Sequence, residues 1–214
     1  MAKYKSGIIG PLSGKMGNVV AASWRGVAYL RELPGKSGSK GTARQLEQRF
    51  KMALVSGWLR PLRDVIWLGF RSHDEAKTPM NACIGYHLVH ALKQDAEGVW
   101  VIDFEKAVFS RGELLVSYVT GLTAVNGLLM VKWMNGTASV FSAPDDRATF
   151  VVYSVARRQF VTFEEVCKRI DGEVALRLPD VFAGETLQVW MYYVARERRA
   201  VSTTLYLGTV AVIA

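Results

Sequence analysis

From residue 114 to the C-terminus, apolar and polar positions recur in short runs broken by turn residues. The runs are GLLMVKWM (127–134), ATFVVYS (148–154), RQFVTF (158–163), EVALRLP (173–179), TLQVWMYYVA (186–195) and TTLYLGTVAVI (203–213). Asn135-Gly136, Pro144-Asp145-Asp146, Asp171-Gly172 and Ala183-Gly184 separate them. Runs this short, this rich in β-branched and aromatic residues and this closely spaced predict six or seven strands closing into a β-sandwich. VWVIDF and KAVFS, just upstream, predict two further bridging strands. Within the sandwich, Thr162 followed three residues later by Glu165 reads as a capping box opening a short helix through Ile170.

The first half has a different period. Two β-rich runs, Val19–Trp24 and 27–33, flank Arg25-Gly26 and predict a hairpin in which glycine supplies the positive φ. PGKSGSKG (34–41) has the composition of a flexible cationic linker. Thr42 with Gln45 forms a capping-box start. Leu46, Phe50, Ala53, Leu54 and Gly57 then keep helical spacing and define an apolar face. Pro61 ends or kinks that helix after Leu59, and a shorter helical stretch follows through Val65 and Ile66. Thr78-Pro79 signals the next helix, an N-cap followed by proline at the first helical position, running to about Lys93. The chain thus divides into a basic, glycine-rich arm with hairpin and linker (1–41), a helical region with bridging strands (42–113) and a separable sandwich (114–214).

Charge sharpens this division. Residues 1–72 hold 13 Lys/Arg against 3 Asp/Glu, a net +10, whereas residues 73–214 hold 14 against 16, a net −2. A basic segment attracts nucleic acid, an anionic membrane surface or an acidic protein. Aromatics alternate with cations in it: Trp24-Arg25, Tyr29 with Arg31, Phe50-Lys51, Trp58 with Arg60 and Phe70-Arg71. Rings beside cations hold single strands without sequence preference, and they equally describe a core with a solvated side. No N-terminal apolar run resembles a signal peptide, and no stretch approaches the roughly 20 apolar residues of a membrane helix. Cys83 and Cys167 stand far apart without a CxxC, which suits reduced thiols and a cytoplasmic or virion setting.

Candidate chemistry is sparse. GPLSGKMG (10–17) contains Gly14-Lys15, but a P-loop needs another glycine five positions before Gly14, and Ile9 stands there while Met16 replaces the metal-binding hydroxyl. Gly14-Lys15-Met16-Gly17 also matches the GxxG clamp of KH domains, but the helix that must precede it has no room. The remaining reading is glycine-permitted turns at Gly7, Gly10, Gly14 and Gly17 in an irregular arm. Cys83, His87 and His90 fall at i, i+4 and i+7 of the second helix. Ends about 10 Å apart along the axis exclude one shared zinc, since ligands sit within about 2.3 Å of the ion. They read as a core-facing cysteine with partly buried histidines. Asp145-Asp146 reads as a pair of turn carboxylates facing water, and adjacent Glu164-Glu165 does not converge for acid–base work.

Two resemblances add to this reading. The C-terminal segment resembles a fibronectin type III or immunoglobulin-like module: Trp133 stands in the second strand, where such modules often place a core tryptophan. LPDVFAGETLQVWMYYVA (178–195) is similar to their passage from the fifth strand into the sixth. Over nearly the whole chain, MAKYKSGIIGPLSGKMGNVVAASWRG, LPGKSG, QLEQRFKMALVSGWLRPL and VSTTLYLGTVAV resemble an uncharacterised family of Bacteroidetes proteins and their mobile elements, phage included. That resemblance implies no activity and no site residues.

The expected fold is therefore α+β: an N-terminal β-hairpin and helices, then an immunoglobulin/fibronectin III-like sandwich. The expected function is that of a non-enzymatic structural or interaction protein, a self-assembling or partner-docking subunit of the kind found in virions. The alternative is a nucleic-acid-associated protein using the basic half. The candidate nucleic-acid or partner-binding residues are Lys15, Arg25, Arg31, Lys36, Lys40, Arg44 and Lys51. Val19, Trp24, Val27 and Tyr29 form the candidate assembly hairpin. The expected partner is a second copy or another protein, with no membrane insertion, cofactor, metal or catalytic residue.

Overall fold

Val151, Tyr153, Trp190, Tyr192 and Val194 point one way from two neighbouring strands, and Phe150, Val152, Val189, Met191 and Tyr193 point the other. All of them are buried. The strands are β9 (Arg147–Ser154) and β12 (Thr186–Val194), paired antiparallel. A strand buried on both faces reads as a near-continuous apolar run rather than an alternating one, which is how ATFVVYS and TLQVWMYYV are written.

The computed structural model describes residues 2–3, 12–24, 26–35, 41–71 and 77–213, in two compact units, Met1–Ala43 and Arg44–Ala214. In the larger unit β9 and β12 lie at the centre of a four-stranded sheet, order β10-β9-β12-β13, with β10 (Gln159–Lys168) and β13 (Leu205–Ala211) at its edges. A second, three-stranded sheet has the order β11-β8-β7, from β7 (Tyr118–Val125), β8 (Leu128–Met134) and β11 (Glu173–Arg177). Leu129, Val131, Trp133 and Leu176 of this sheet share a core with Phe150, Val152, Leu187 and Met191 of the other.

The opposite face of the four-stranded sheet is covered by helices. Val55 and Leu59 of α1 (Ala43–Leu59), Val65 and Ile66 of α2 (Arg63–Gly69), and Cys83 and Ile84 of α3 (Pro79–His90) share a core with Val151, Tyr153, Trp190 and Tyr192. Pro61 sits in a 3-10 turn, Arg60–Leu62, between α1 and α2. At the end of α2, a Cβ on Gly69 would meet the Phe109 carbonyl oxygen at 2.2 Å, so only glycine admits this close crossing. The sandwich read as separable from residue 114 is thus one layer pair of a three-layer unit, because helices and sheet share a core.

Four details differ from the sequence reading. The apolar face of α1 is turned: Leu46 and Phe50 are about half exposed (48% and 49%), while Lys51, Val55, Trp58 and Leu59 form the inward stripe. Helix α3 stops at His90, because β5 (Leu92–Gln94) pairs with β6 (Trp100–Ile102), and the Asp103 N–H bonds the Ala91 carbonyl at 3.0 Å. KAVFS forms no strand. The Phe109 and Ser110 N–H groups instead donate to Thr204 Oγ1 at 2.9 and 2.8 Å, so a side chain replaces the ladder. Glu165 opens no helix: it lies in a bulge of β10 with φ +53°, and its N–H donates to Thr149 Oγ1.

The smaller unit is a four-stranded antiparallel sheet, order β1-β4-β3-β2, from β1 (Ala2–Lys3), β2 (Gly14–Met16), β3 (Val19–Trp24) and β4 (Val27–Glu32). The expected hairpin is its centre. Gly14-Lys15-Met16 is not an irregular turn but an edge strand, since the two-residue connection Gly17-Asn18 folds it back onto β3.

Candidate partner-binding face

Residues directly opposite each other on antiparallel strands present side chains to the same face, and the face alternates at each step. The register therefore sorts the candidate residues. One face carries three rows: Lys15–Val20–Arg31, then Ala22–Tyr29, then Trp24–Val27. The other carries Met16–Val19–Glu32, then Gly14–Ala21–Leu30, then Ser23–Ala28. Gly26, at φ +79°, completes the two-residue connection that sets this parity. Lys15, Arg31, Trp24, Val27 and Tyr29 are thus gathered on one face, whereas Val19 lies on the opposite one with Met16. Sequence reasoning missed Met16 as a companion of Val19, because GKM carries no strand signal and the pairing of β2 had to be seen.

Lys15 and Arg31 are exposed, and neither forms an ion pair among the described residues. Glu32, the sheet's acidic residue, points to the opposite face. Trp24 is 55% exposed and Val27 45%, while Tyr29 is half-buried. Arg25, Lys36 and Lys40 lie outside the described residues. Arg44 and Lys51 belong to α1, in the larger unit. Arg44 is exposed, but Lys51 is held within its own unit: its Nζ lies 2.8 Å from Glu47 Oε1 and 3.7 Å from the centre of the Trp100 ring. Trp100 Nε1 donates to the same carboxylate oxygen at 3.0 Å. Together the Lys51 ammonium and these hydrogen bonds hold the Glu47 carboxyl below its ordinary range.

A family model matches residues 11–208. The chain belongs to DUF6266, a family of unknown function. No curated protein matches it. The DUF6266 match takes in β2, β3 and β4 and runs through the larger unit into β13, so three strands of the N-terminal sheet are part of what the family model describes.

Elsewhere in this DUF6266 chain the titratable groups serve the interior. Cys83 and His87 are fully buried on α3 and His90 is exposed. Cys83 Sγ lies 3.6 Å from His87 Nδ1, but burial pushes the thiol far above its usual range and the imidazole down to about 4. Both are held neutral, the reverse of a thiolate–imidazolium pair. His87 Nδ1 bonds the Cys83 carbonyl at 2.9 Å and Nε2 accepts the Val108 N–H at 3.4 Å. Protonation costs the second bond and buries a charge. The folded-state value lies below the ordinary His value near 6.5, so this contribution is complete above about pH 6.5 and is lost as pH falls towards 4. The expected loss is about 3 kcal/mol by pH 4. An NMR titration should show His87 still neutral at pH 5; a midpoint near 6.5 contradicts the packing.

Asp146 is not a water-facing turn carboxylate. It is buried against Arg169, with Oδ2 at 3.1 Å from Nε and 3.0 Å from a terminal guanidinium nitrogen. Burial pushes its carboxyl upward against the pull of Arg169. The Arg169 guanidinium also stacks 3.8 Å from the Tyr193 ring centre and donates to the Leu115 carbonyl at 2.7 Å. Nothing in the sequence separates Asp146 from its neighbour Asp145, which is only half-buried and lies 3.6 Å from Arg196. Among the described residues no three His, Cys, Asp or Glu side chains converge to hold a metal, and no helix is long and apolar enough to cross a membrane.

Proposed function

We propose that this protein is a non-enzymatic assembly subunit, and that its N-terminal sheet docks on a neighbouring copy through the face bearing Met16, Val19, Ala21 and Leu30. One observation carries the reading. The sheet forms a unit of its own, yet Ala21 is its one buried residue among those described, while Met16 is 64% and Val19 41% exposed. A sheet this small is marginal without a covered apolar face, and an uncovered one marks an interaction surface. The larger unit supplies the scaffold. Its three-plus-four antiparallel sheets, packed over one core with Trp133 on the second strand, support a fibronectin III-like sandwich. The setting that suits such a subunit is cytoplasmic or a virion.

Mass measurement in solution tests the reading. The wild-type chain is expected to form a defined oligomer without nucleic acid. The double variant Met16→Glu/Val19→Glu is expected to fall to monomer with an unchanged melt of the larger unit, because both side chains are already exposed. A monomeric wild type, or an oligomer indifferent to the two changes, overturns it.

A further inference from the structure

The other face of the same sheet has a different chemistry. Lys15 and Arg31 flank Val20 across three strands, about 10 Å apart at the 4.8 Å strand spacing. Two rows further along, Trp24 stands beside Val27, diagonal to Tyr29 in the row between, a diagonal spacing of about 7–8 Å between the two residues' positions. Charge is segregated: both cations are on this face, and Glu32 is on the other. The residues 1–43 that build the unit hold seven Lys/Arg against one Asp/Glu. An aromatic pair one nucleotide-sized step apart, with cations free to meet phosphates, is the combination by which flat surfaces hold unpaired strands.

We propose that this face, Lys15, Arg31, Tyr29 and Trp24, binds single-stranded nucleic acid without sequence preference, the bases stacking on Trp24 and Tyr29 and the phosphates meeting Lys15 and Arg31. The uncompensated positive charge favours a polyanion, and the exposed ring favours one with π-faces. An acidic protein segment satisfies the first demand and not the second. The inference does not rest on self-assembly, since it uses the opposite face of the sheet.

The test is fluorescence anisotropy of the full-length chain with a labelled 20-nucleotide oligo-dT across a salt series, and with oligo-rU, duplex DNA and poly-glutamate as competitors. Binding is expected to weaken steeply with salt, and the Lys15→Gln/Arg31→Gln variant to flatten the log–log slope by about 0.7 per cation removed. Trp24→Ala is expected to weaken binding about tenfold, while Trp24→Phe, which keeps a ring, restores most of it. This pair separates stacking from damage to the sheet. Mass measured on the same samples keeps the two faces apart: Met16→Glu/Val19→Glu should change mass and spare oligo-dT binding, and Trp24→Ala should do the reverse. No binding at low salt, competition by poly-glutamate equal to that of oligo-rU, or equal affinity for Trp24→Ala and the wild type each overturns the proposal.

Discussion

Residues 114–214 expressed alone are expected to give a molten or aggregating product, whereas residues 44–214 should melt cooperatively. The truncation keeps both sheets and their shared core, from Leu129 and Val131 to Phe150, Val189 and Met191. It removes everything that covers the second face of β9 and β12. Val151, Tyr153, Trp190, Tyr192 and Val194 would lose Val55, Leu59, Ile66, Cys83 and Phe109. The Trp190 Nε1–H would lose the Phe104 carbonyl it donates to at 3.0 Å. Trp58 packs within about 6.5 Å, centre to centre, of Phe104, Phe109, Tyr153, Phe160 and Trp190, so one removed helix empties the middle of an aromatic cluster. Exposing Tyr153, Trp190 and Tyr192 at about 150 Å² each forfeits roughly 11 kcal/mol of apolar burial. That is comparable with the whole net stability of a domain, about 5–15 kcal/mol. Thermal melts followed by near-ultraviolet circular dichroism on the two fragments decide the matter. A sharp transition from 114–214 would show that the sandwich closes without its helical layer.

The same doubly buried strands show what the sequence made legible. The strands of the larger unit follow from runs of β-branched and aromatic residues between turn residues, and all six quoted runs are strands in the structure. That ATFVVYS and TLQVWMYYV lack polar alternation already pointed to a layer on each face, but the shift in charge and period before residue 114 marks a change of element type and not of core. Helix α1 misled for a physical reason. Leu46, Phe50, Ala53, Leu54 and Gly57 form one stripe at helical spacing, of which Leu54 does pack against the core, and Lys51, Val55, Trp58 and Leu59 form another. Periodicity cannot choose between them, whereas the sheet does, through Val151 and Trp190. On the candidate face, the parity of Trp24, Val27, Tyr29 and Arg31 follows from a hairpin with a two-residue connection, and is readable once that hairpin is granted. The place of Lys15 was not readable, because Gly14-Lys15-Met16 becomes a strand only through its pairing with β3. The full burial of Asp146, next to a half-buried Asp145, depends on Arg169, distant in sequence, and no local pattern encodes it.

Arg169→Met is expected to cost about 3–5 kcal/mol of folding stability. Arg169 and Asp146 are both nearly inaccessible, with side chains 3% and 2% exposed, so removing the guanidinium leaves a carboxylate buried without its counter-charge. The loss spreads beyond the pair. The guanidinium covers the Tyr193 ring and donates to the Leu115 carbonyl, and Tyr193 in turn shares a 2.8 Å hydrogen bond with Ser117 Oγ. The main chain of the same residue is also committed, since the Arg169 carbonyl accepts Trp133 Nε1 and Asn135 Nδ2, each at 2.9 Å. Arg169 therefore ties the segment before β7, the end of β8 and the interior of β12 together. The penalty belongs to the orphaned charge more than to the bond, and a double variant separates the two. Arg169→Met/Asp146→Leu removes both charges and keeps apolar volume, and it should recover part of the loss, as replacing a whole buried ion pair is far cheaper than breaking one. Urea midpoints for the two single variants and the double, at equal m-value, measure this directly. A loss below about 1 kcal/mol for Arg169→Met would mean that water reaches Asp146 and that the interior here is looser than its packing indicates.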